Sequence, residues 1–448
     1  MKKTKKILIG FVAVISLLII LPFLIPTQTY LRKAESIASE KLGVPVKITS
    51  GHWSFLPSPR VIVNDISIGK LQEVKVAQVV VIPTLSTVFS STKVIDLKVS
   101  KPIIKQAALE FISALSTKKS NTSSNAVNIR HITIDALQLE WPTAKFPNIN
   151  LEATLTGSNA LESATLETVD GTIKADIKPK GDEHLILVSL EKLRSPVGLP
   201  ILIDKAKLEM YLKEGELQIP NIDVVLYNGK LTGDAVVTWG NSWQTKGKLN
   251  VANLAVKEPS SMVSKSVYLS GNLFGNGSFS GNAKVVGQLA ENTSANFKFK
   301  VNNGVLHGLD LVKVASLLIK QGQNGGATEF DAFSGLLNMT KGNRTTRQYH
   351  LRDLKISSGL LAASGQVKVK SNKELNGTLD VEVKRSISLV AIPLEVSGTV
   401  SNPVIFPSKA ALAGAIAGTA ILGPGVGTSL GVKAGGAVDK IKGLFSGK

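Results

Sequence analysis

Asn296–Val301 reads NFKFKV, so Phe297, Phe299 and Val301 alternate with Asn296, Lys298 and Lys300. Successive side chains of an extended chain point to opposite faces, and this stretch therefore reads as a β-strand with one apolar and one wet face. The same alternation returns at Thr378–Lys384, where Leu379, Val381 and Val383 stand between Thr378, Asp380, Glu382 and Lys384. It returns again at Lys248–Val251, where Leu249 and Val251 alternate with Lys248 and Asn250.

Working outward, strand-like text punctuated by Gly, Pro and Asn covers Arg60–Ile68, Val74–Ile82, Val94–Ser100, Ile129–Trp141, Leu217–Leu226, Lys230–Trp239 and Lys246–Leu254. It continues at Tyr349–Ser357, Gly365–Val369 and Leu394–Val400. This spacing is that of consecutive antiparallel strands. Helical text is sparse. Tyr30, Leu31, Ala34, Ile37, Ala38 and Leu42 recur at three- and four-residue spacing and predict an amphipathic helix that Gly43 ends. Lys105–Leu115 and Asp310–Lys320 are two further helical stretches, while Ser116–Asn128 and Gly322–Gly326 read as loops. So few helices cannot cover a long sheet. Its apolar face needs another cover, because large exposed apolar patches are rare on soluble monomers.

The two ends differ from the middle. Lys2, Lys3, Lys5 and Lys6 precede an apolar run, Ile7–Ile25, that includes Phe11, Ile15, Leu18 and Leu21. Nineteen residues suffice to cross a ~30 Å hydrocarbon layer as a helix. No small-residue cleavage pattern follows Pro22–Pro26, so the run reads as an uncleaved transmembrane anchor. The lysines before it predict a cytoplasmic N-terminus, with the bulk of the chain across the membrane. At the other end, Ala410–Gly431 carries no charge and has glycines four apart, including Gly414/Gly418 and Gly423/Gly427. Val432–Phe445 reads as a basic amphipathic helix. Ile416, Ile421, Leu422, Leu444 and Phe445 are the expected membrane contacts of this tail.

Composition excludes several classes of function. The 448 residues contain no cysteine, and hence no disulfide framework, thiolate metal site or cysteine nucleophile. Of the formal net charge of +19, residues 1–32 carry +5 and residues 432–448 carry +3. The density at these apolar ends, where anionic headgroups would meet it, is well above that of the 399 residues between, and no nucleic-acid-binding signature accompanies it. His52, His131, His184, His307 and His350 are isolated in sequence, without a zincin or hydrolase motif. Trp53, Trp141, Trp239 and Trp243 read as sheet packing or as interfacial residues. Gly275, Gly277 and Gly281 do not follow the spacing of a dinucleotide loop and read as turn glycines.

The anchor, the helix behind it and Gly43–Gly69 (GVPVKITSGHWSFLPSPRVIVNDISIG) resemble the N-terminal signature of the AsmA family, followed by KVIDLKVSKPII at Lys93–Ile104. Further on, SGNLFGNGSFSG (Ser270–Gly281), NNGVLHGLDLVKVASLL (Asn302–Leu318), Thr328–Gly335, Leu354–Val369 and Ile392–Ser408 stand in the order of the C-terminal AsmA region. The resemblance implies an inner-membrane-anchored, periplasmic protein of outer-membrane biogenesis. It is similar to bridge-like lipid-transfer proteins, in which a long curled β-sheet holds acyl chains in an apolar groove. It carries no catalytic residues over, so no enzyme, cofactor or metal is expected.

The expected architecture is therefore mostly β: an N-terminal transmembrane helix followed by a long curled antiparallel sheet. The segments are an anchor at 1–26, an N-terminal β-groove region at 27–255, a C-terminal one at 256–408 and a membrane-associating tail at 409–448. Leu249, Val251, Phe297, Phe299, Val301, Leu379, Val381 and Val383 are the expected lipid-facing residues. The expected partners are phospholipid or another amphiphile, the bacterial inner membrane and envelope proteins, with no nucleic acid. Two functions follow: carriage or conduction of phospholipid, or a scaffold for targeting and insertion of outer-membrane proteins.

Overall fold

The structure, a computed structural model, describes residues 27–84, 93–109, 127–142, 144–196, 199–315, 325–341, 347–384, 391–422 and 432; side chains of 416–422 are not described. The anchor residues Ile7, Phe11, Ile15, Leu18 and Leu21 lie outside them, as do the tail residues Leu444 and Phe445. Among the described residues no helix is long and apolar enough to cross a membrane.

Among the described residues the protein is mostly β, with 22 strands in one large sheet and few helices. It forms two compact units. The first comprises residues 1–200, 205–219 and 238–241; the second comprises 201–204, 220–237 and 242–448.

The first unit opens with helix α1 (Thr27–Leu42), ended by Gly43 at φ +69°, whose N–H donates to Ser39 O at 2.9 Å. Glycine takes this left-handed C-cap geometry without steric cost. The strands follow: β1 (Val46–Ser54), β2 (Arg60–Ile68), β3 (Val74–Pro83), β4 (Lys93–Lys105), β5 (Val127–Trp141), β6 (Ala144–Lys145), β7 (Ile149–Leu155), β8 (Leu161–Thr168), β9 (Ile173–Lys180) and β10 (Glu183–Arg194). Sequential neighbours pair antiparallel, with β5 pairing both β6 and β7. The exception is β4 and β5, which run parallel. Charges tie the outer side of that parallel pair: Arg130 reaches the Asp96 carboxylate and Lys98 reaches Asp135 at 3.1 Å. α1 protects the free edge of β1. Ser39 Oγ accepts the Val46 N–H at 2.9 Å, and Glu35 Oε1 accepts the Ile48 N–H at 2.5 Å. An unpaired strand edge would otherwise expose these donors.

Three strands, β11 (Leu202–Lys213), β12 (Glu216–Leu226) and β13 (Gly229–Thr238), precede the meander of the second unit. That meander comprises β14 (Trp243–Ala255), β15 (Tyr268–Ala283), β16 (Thr293–His307), β17 (Ala327–Lys341), β18 (Arg347–Ser357), β19 (Leu361–Val369), β20 (Leu375–Val383), β21 (Ala391–Thr399) and β22 (Asn402–Pro407). Each pairs antiparallel with the next. Among the described residues three α-helices accompany it: α2 (Lys257–Val263), α3 (Leu311–Ala315) and α4 (Lys409–Leu422). Ser408 caps α4, its Oγ accepting the Ala411 N–H at 3.1 Å. The α3 helix covers part of the predicted Asp310–Lys320 stretch, of which 316–320 lie outside the described residues. So does most of Lys105–Leu115.

One expectation is overturned. Gly275, Gly277 and Gly281 are not turn glycines; they lie inside the sixteen-residue strand β15. Their reason for being glycine is steric, as described next.

Candidate functional site

In an antiparallel ladder, directly opposed residues share a face, and following the register across strands shows what each face presents. In the second unit one row runs Leu249, Gly277, Phe297, Leu337, Leu351, Val367, Gly377, Val396, Ile405, from β14 to β22. The next row holds Val251, Gly275, Phe299 and Gly335, then Leu354, Gly365, Leu379, Leu394 and Pro407. A third runs Leu254, Leu273, Val301, Phe333, Ile356, Ala363, Val381, Ile392. Val383 stands opposite Leu361 on the same side. All eight residues singled out by alternation thus come together on one apolar face. The other face carries Lys248, Asn250, Asn276, Ser278, Asn296, Lys298 and Arg352. Arg352 Nε donates to Asn338 Oδ1 at 2.8 Å there.

Glycines let the apolar face pack rings. A Cβ added at Gly275 would lie 2.6 Å from Phe297 Cε1, and one at Gly277 2.7 Å from Phe297 Cδ2. The Phe297 ring therefore lies along β15 in space that only glycine leaves. Gly247 gives the same space to Phe279, and Gly304 to Phe330. Phe299 and Phe330 each meet Phe333 edge-on, with centroids 5.4 and 5.9 Å apart. Edge-to-face packing of this kind is favoured by the ring quadrupoles.

The face is covered at one end and open at the other. α3 packs against β17, β20 and β22, burying Leu311, Val314 and Ala315. Thr328 Oγ1 pins it, accepting the Leu311 N–H at 2.9 Å and donating to Leu309 O at 2.8 Å, all buried. Beneath it Val381 and Leu394 are 0% exposed. Ala411 and Ala415 of α4 and Val432 pack on Ile392. Val301, Leu379 and Val251 are also buried, whereas Leu249, Phe297, Phe299 and Val383 are only half-buried. The eight are one face, but they are not equally accessible. Of the tail contacts, Ile416, Ile421 and Leu422 fall within α4, where their side chains are not described.

The first unit holds a comparable face that alternation had not picked out. Trp53, Val61, Val81, Leu97, Ile132, Ala153, Ala164, Ile177, Ile186 form one row across nine strands. Gly51, Val63, Val79, Val99, Ile134, Leu151, Leu166, Ala175, Val188 form the next. Within these two rows only the alanines are buried; the larger side chains are half-exposed, and Trp53 is exposed. Leu31 of α1 covers Gly51, with Cδ2 2.9 Å from where a Cβ would stand.

The faces opposite the apolar rows carry exposed charged pairs, among them Lys98 with Asp135 and Lys230 with Asp223. Lys213 holds the Asp182 carboxyl below its usual pKa. The amide of Asn372, and then Lys370, does the same for Glu374. Among the described residues no group of acidic or histidine side chains is placed to hold a metal ion.

Residues 188–349, from β10 to β18, match the family model described as AsmA family. This stretch, 188–349, is similar to the AsmA family. The matched stretch includes the rows from Leu249 to Leu337 on the second unit's apolar face. No curated protein and no solved structure matches it.

Proposed function

We propose that the protein binds acyl chains along the apolar face of its sheet and carries or conducts phospholipid, or a similar amphiphile, in envelope and outer-membrane biogenesis. In this reading Ile7–Ile25 anchors it in a bacterial inner membrane with the strands in the periplasm, and it is not an enzyme. The observation that carries the proposal is the first unit's apolar face, whose larger side chains are left half-exposed. Across nine strands at ~4.8 Å spacing, two rows make a strip roughly 40 Å by 15 Å, about 600 Å². That is at the upper end of the largest patch on ordinary monomers, on the order of 300–600 Å². Acyl chains would cover such a strip without disturbing the ladder. A sheet curled around them into a groove suits both the family and the chemistry. The scaffold alternative needs a free strand edge for pairing, and α1 already satisfies the Val46 and Ile48 donors of β1.

Photo-crosslinking side chains placed singly at 297, 298, 299 and 300 in the full-length membrane protein test the proposal. Positions 297 and 299 should label phospholipid, and 298 and 300 should not. Protein adducts alone at 297 and 299 would favour the scaffold.

A further inference from the structure

The β1–β2 hairpin ends in a tip that leaves large apolar side chains in solvent. Trp53, Phe55 and Leu56 are exposed, Leu56 at 80%. No acidic residue occurs from Lys41 to Asn64, and Arg60 folds back on the tip, its Nε donating to Ser58 O at 3.1 Å. Three contacts orient the tip relative to α1: Ser39 with Val46, Glu35 with Ile48, and Leu31 with Gly51. The helix thus runs antiparallel to β1, and its first residues lie toward the tip. With a rise of about 1.5 Å per helical and 3.3 Å per strand residue, Thr27 falls level with Trp53. Phe55 and Leu56 project beyond it. The apolar run Ile7–Ile25 ends two positions before Thr27.

We propose that this hairpin tip is a second membrane contact, inserted in the leaflet from which α1 emerges. Phe55 and Leu56 enter the acyl boundary, Trp53 sits at headgroup level, and Arg32, Lys33 and Arg60 meet anionic headgroups. The inference rests on the reading of Ile7–Ile25 as a membrane anchor and deepens the lipid reading. Trp53 heads the row that continues through Val61, Val81, Leu97 and Ile132. An acyl chain leaving the bilayer at the tip therefore meets the apolar face at once.

The chain has no cysteine, so single labels are unambiguous. The full-length protein carrying Leu56→Cys, Leu71→Cys or Thr27→Cys is labelled with an environment-sensitive fluorophore. Each is reconstituted in vesicles of phosphatidylethanolamine and phosphatidylglycerol containing a doxyl-labelled lipid quencher. Leu71 is the matched control: it is 78% exposed, but in the turn after β2, at the far end of the same strand. Labels at 27 and 56 should be quenched at least about threefold more than the label at 71, as expected of interfacial side chains. Quenching at 27 without 56 overturns the tip and leaves the anchor standing. Quenching at neither overturns the anchor as well. Equal quenching at 56 and 71 overturns the tip, because the hairpin then has no preferred end.

Discussion

Phe297 and Val381 lie on the same face, and an aspartate at each should fail differently. Val381 is fully enclosed beneath α3. Val381→Asp forfeits roughly 1.5–3 kcal/mol of side-chain burial. It also places a carboxylate without a partner where desolvation costs several kcal/mol more. The total approaches the whole stability of a domain, on the order of 5–15 kcal/mol. The second unit should therefore lose its cooperative melt, or melt far below wild type. Phe297 is half-buried on the open stretch, where water can reach a carboxylate once lipid has left. Phe297→Asp should keep the circular dichroism and protease resistance of the wild type. The cost falls on the lipid: about 2 kcal/mol, the low end for burying an unpaired polar group, corresponds to roughly 30-fold weaker retention. Titration of the detergent-solubilised protein with a fluorescent phospholipid reads that shift, with Lys298→Asp as the opposite-face control. Wild-type lipid affinity in Phe297→Asp would refute the reasoning at the open end. Wild-type melting in Val381→Asp would refute it at the closed end.

Gly277→Ala sets a Cβ against the Asn296 carbonyl and the Phe297 ring, and should lower the urea midpoint by the equivalent of about 1–3 kcal/mol. Gly359→Ala, with open space around it, should change stability by under ~1 kcal/mol. Thr328→Val keeps the shape but strips both partners of its hydroxyl, leaving the Leu311 N–H and Leu309 carbonyl buried and unpaired. It should cost about 1–3 kcal/mol in thermal melts and increase proteolysis near α3. For pH, three exposed carboxyls have lowered pKa values: Asp170 through the hydroxyls of Thr172 and Thr168, Asp182 through Lys213, and Glu374 through Asn372 and Lys370. Groups with depressed folded-state pKa values contribute stability that is present above the unfolded value, ~4, and is lost as pH falls through the folded values. Melting temperature should be level from pH 6 to 8 and decline below about 4; a step between 6 and 7 would point to a histidine instead.

Much of the sheet was legible because alternation is a local signal. β2 has the bounds its sequence predicts, β18 and β20 extend the predicted stretches by two or three residues, and β16 runs well beyond Asn296–Val301, to Thr293–His307. β15 was not legible, because its Gly, Ser and Asn read as turn residues. Gly275 and Gly277 become intelligible only beside β16, where they lie under the Phe297 ring, and Gly281 where it lies against Thr293. Bulges were the second obstacle. Asp65, Asn253, Asn303 and Asp353 take positive φ inside strands, and apolar positions shift by one past them: Phe297, Phe299, Val301, then Gly304 and Leu306. Asn and Asp tolerate that conformation, so a signal existed at these four. At Lys101 and Ala136, also at positive φ, residue type gives none.

The site was legible only to the level of a face. Phe299 and Val381 occupy identical local patterns, an apolar residue between charged neighbours, and a period of two cannot tell them apart. What separates them is α3, some seventy residues before Val381, whose Leu311, Val314 and Ala315 pack over β20 and β22. Alternation is set by the backbone; cover is set by packing between distant segments. The rows from Trp53 to Ile186 went unnoticed for a related reason. Arg60–Ile68, Val74–Ile82, Val94–Ser100 and Ile129–Trp141 read as strands but without a clean alternation, and β7 and β8 mix Ala, Thr and Ser with the apolar residues. Only the register adds nine contributions into one continuous strip. A sheet that works by the area of one face need not write that function strongly into any one strand.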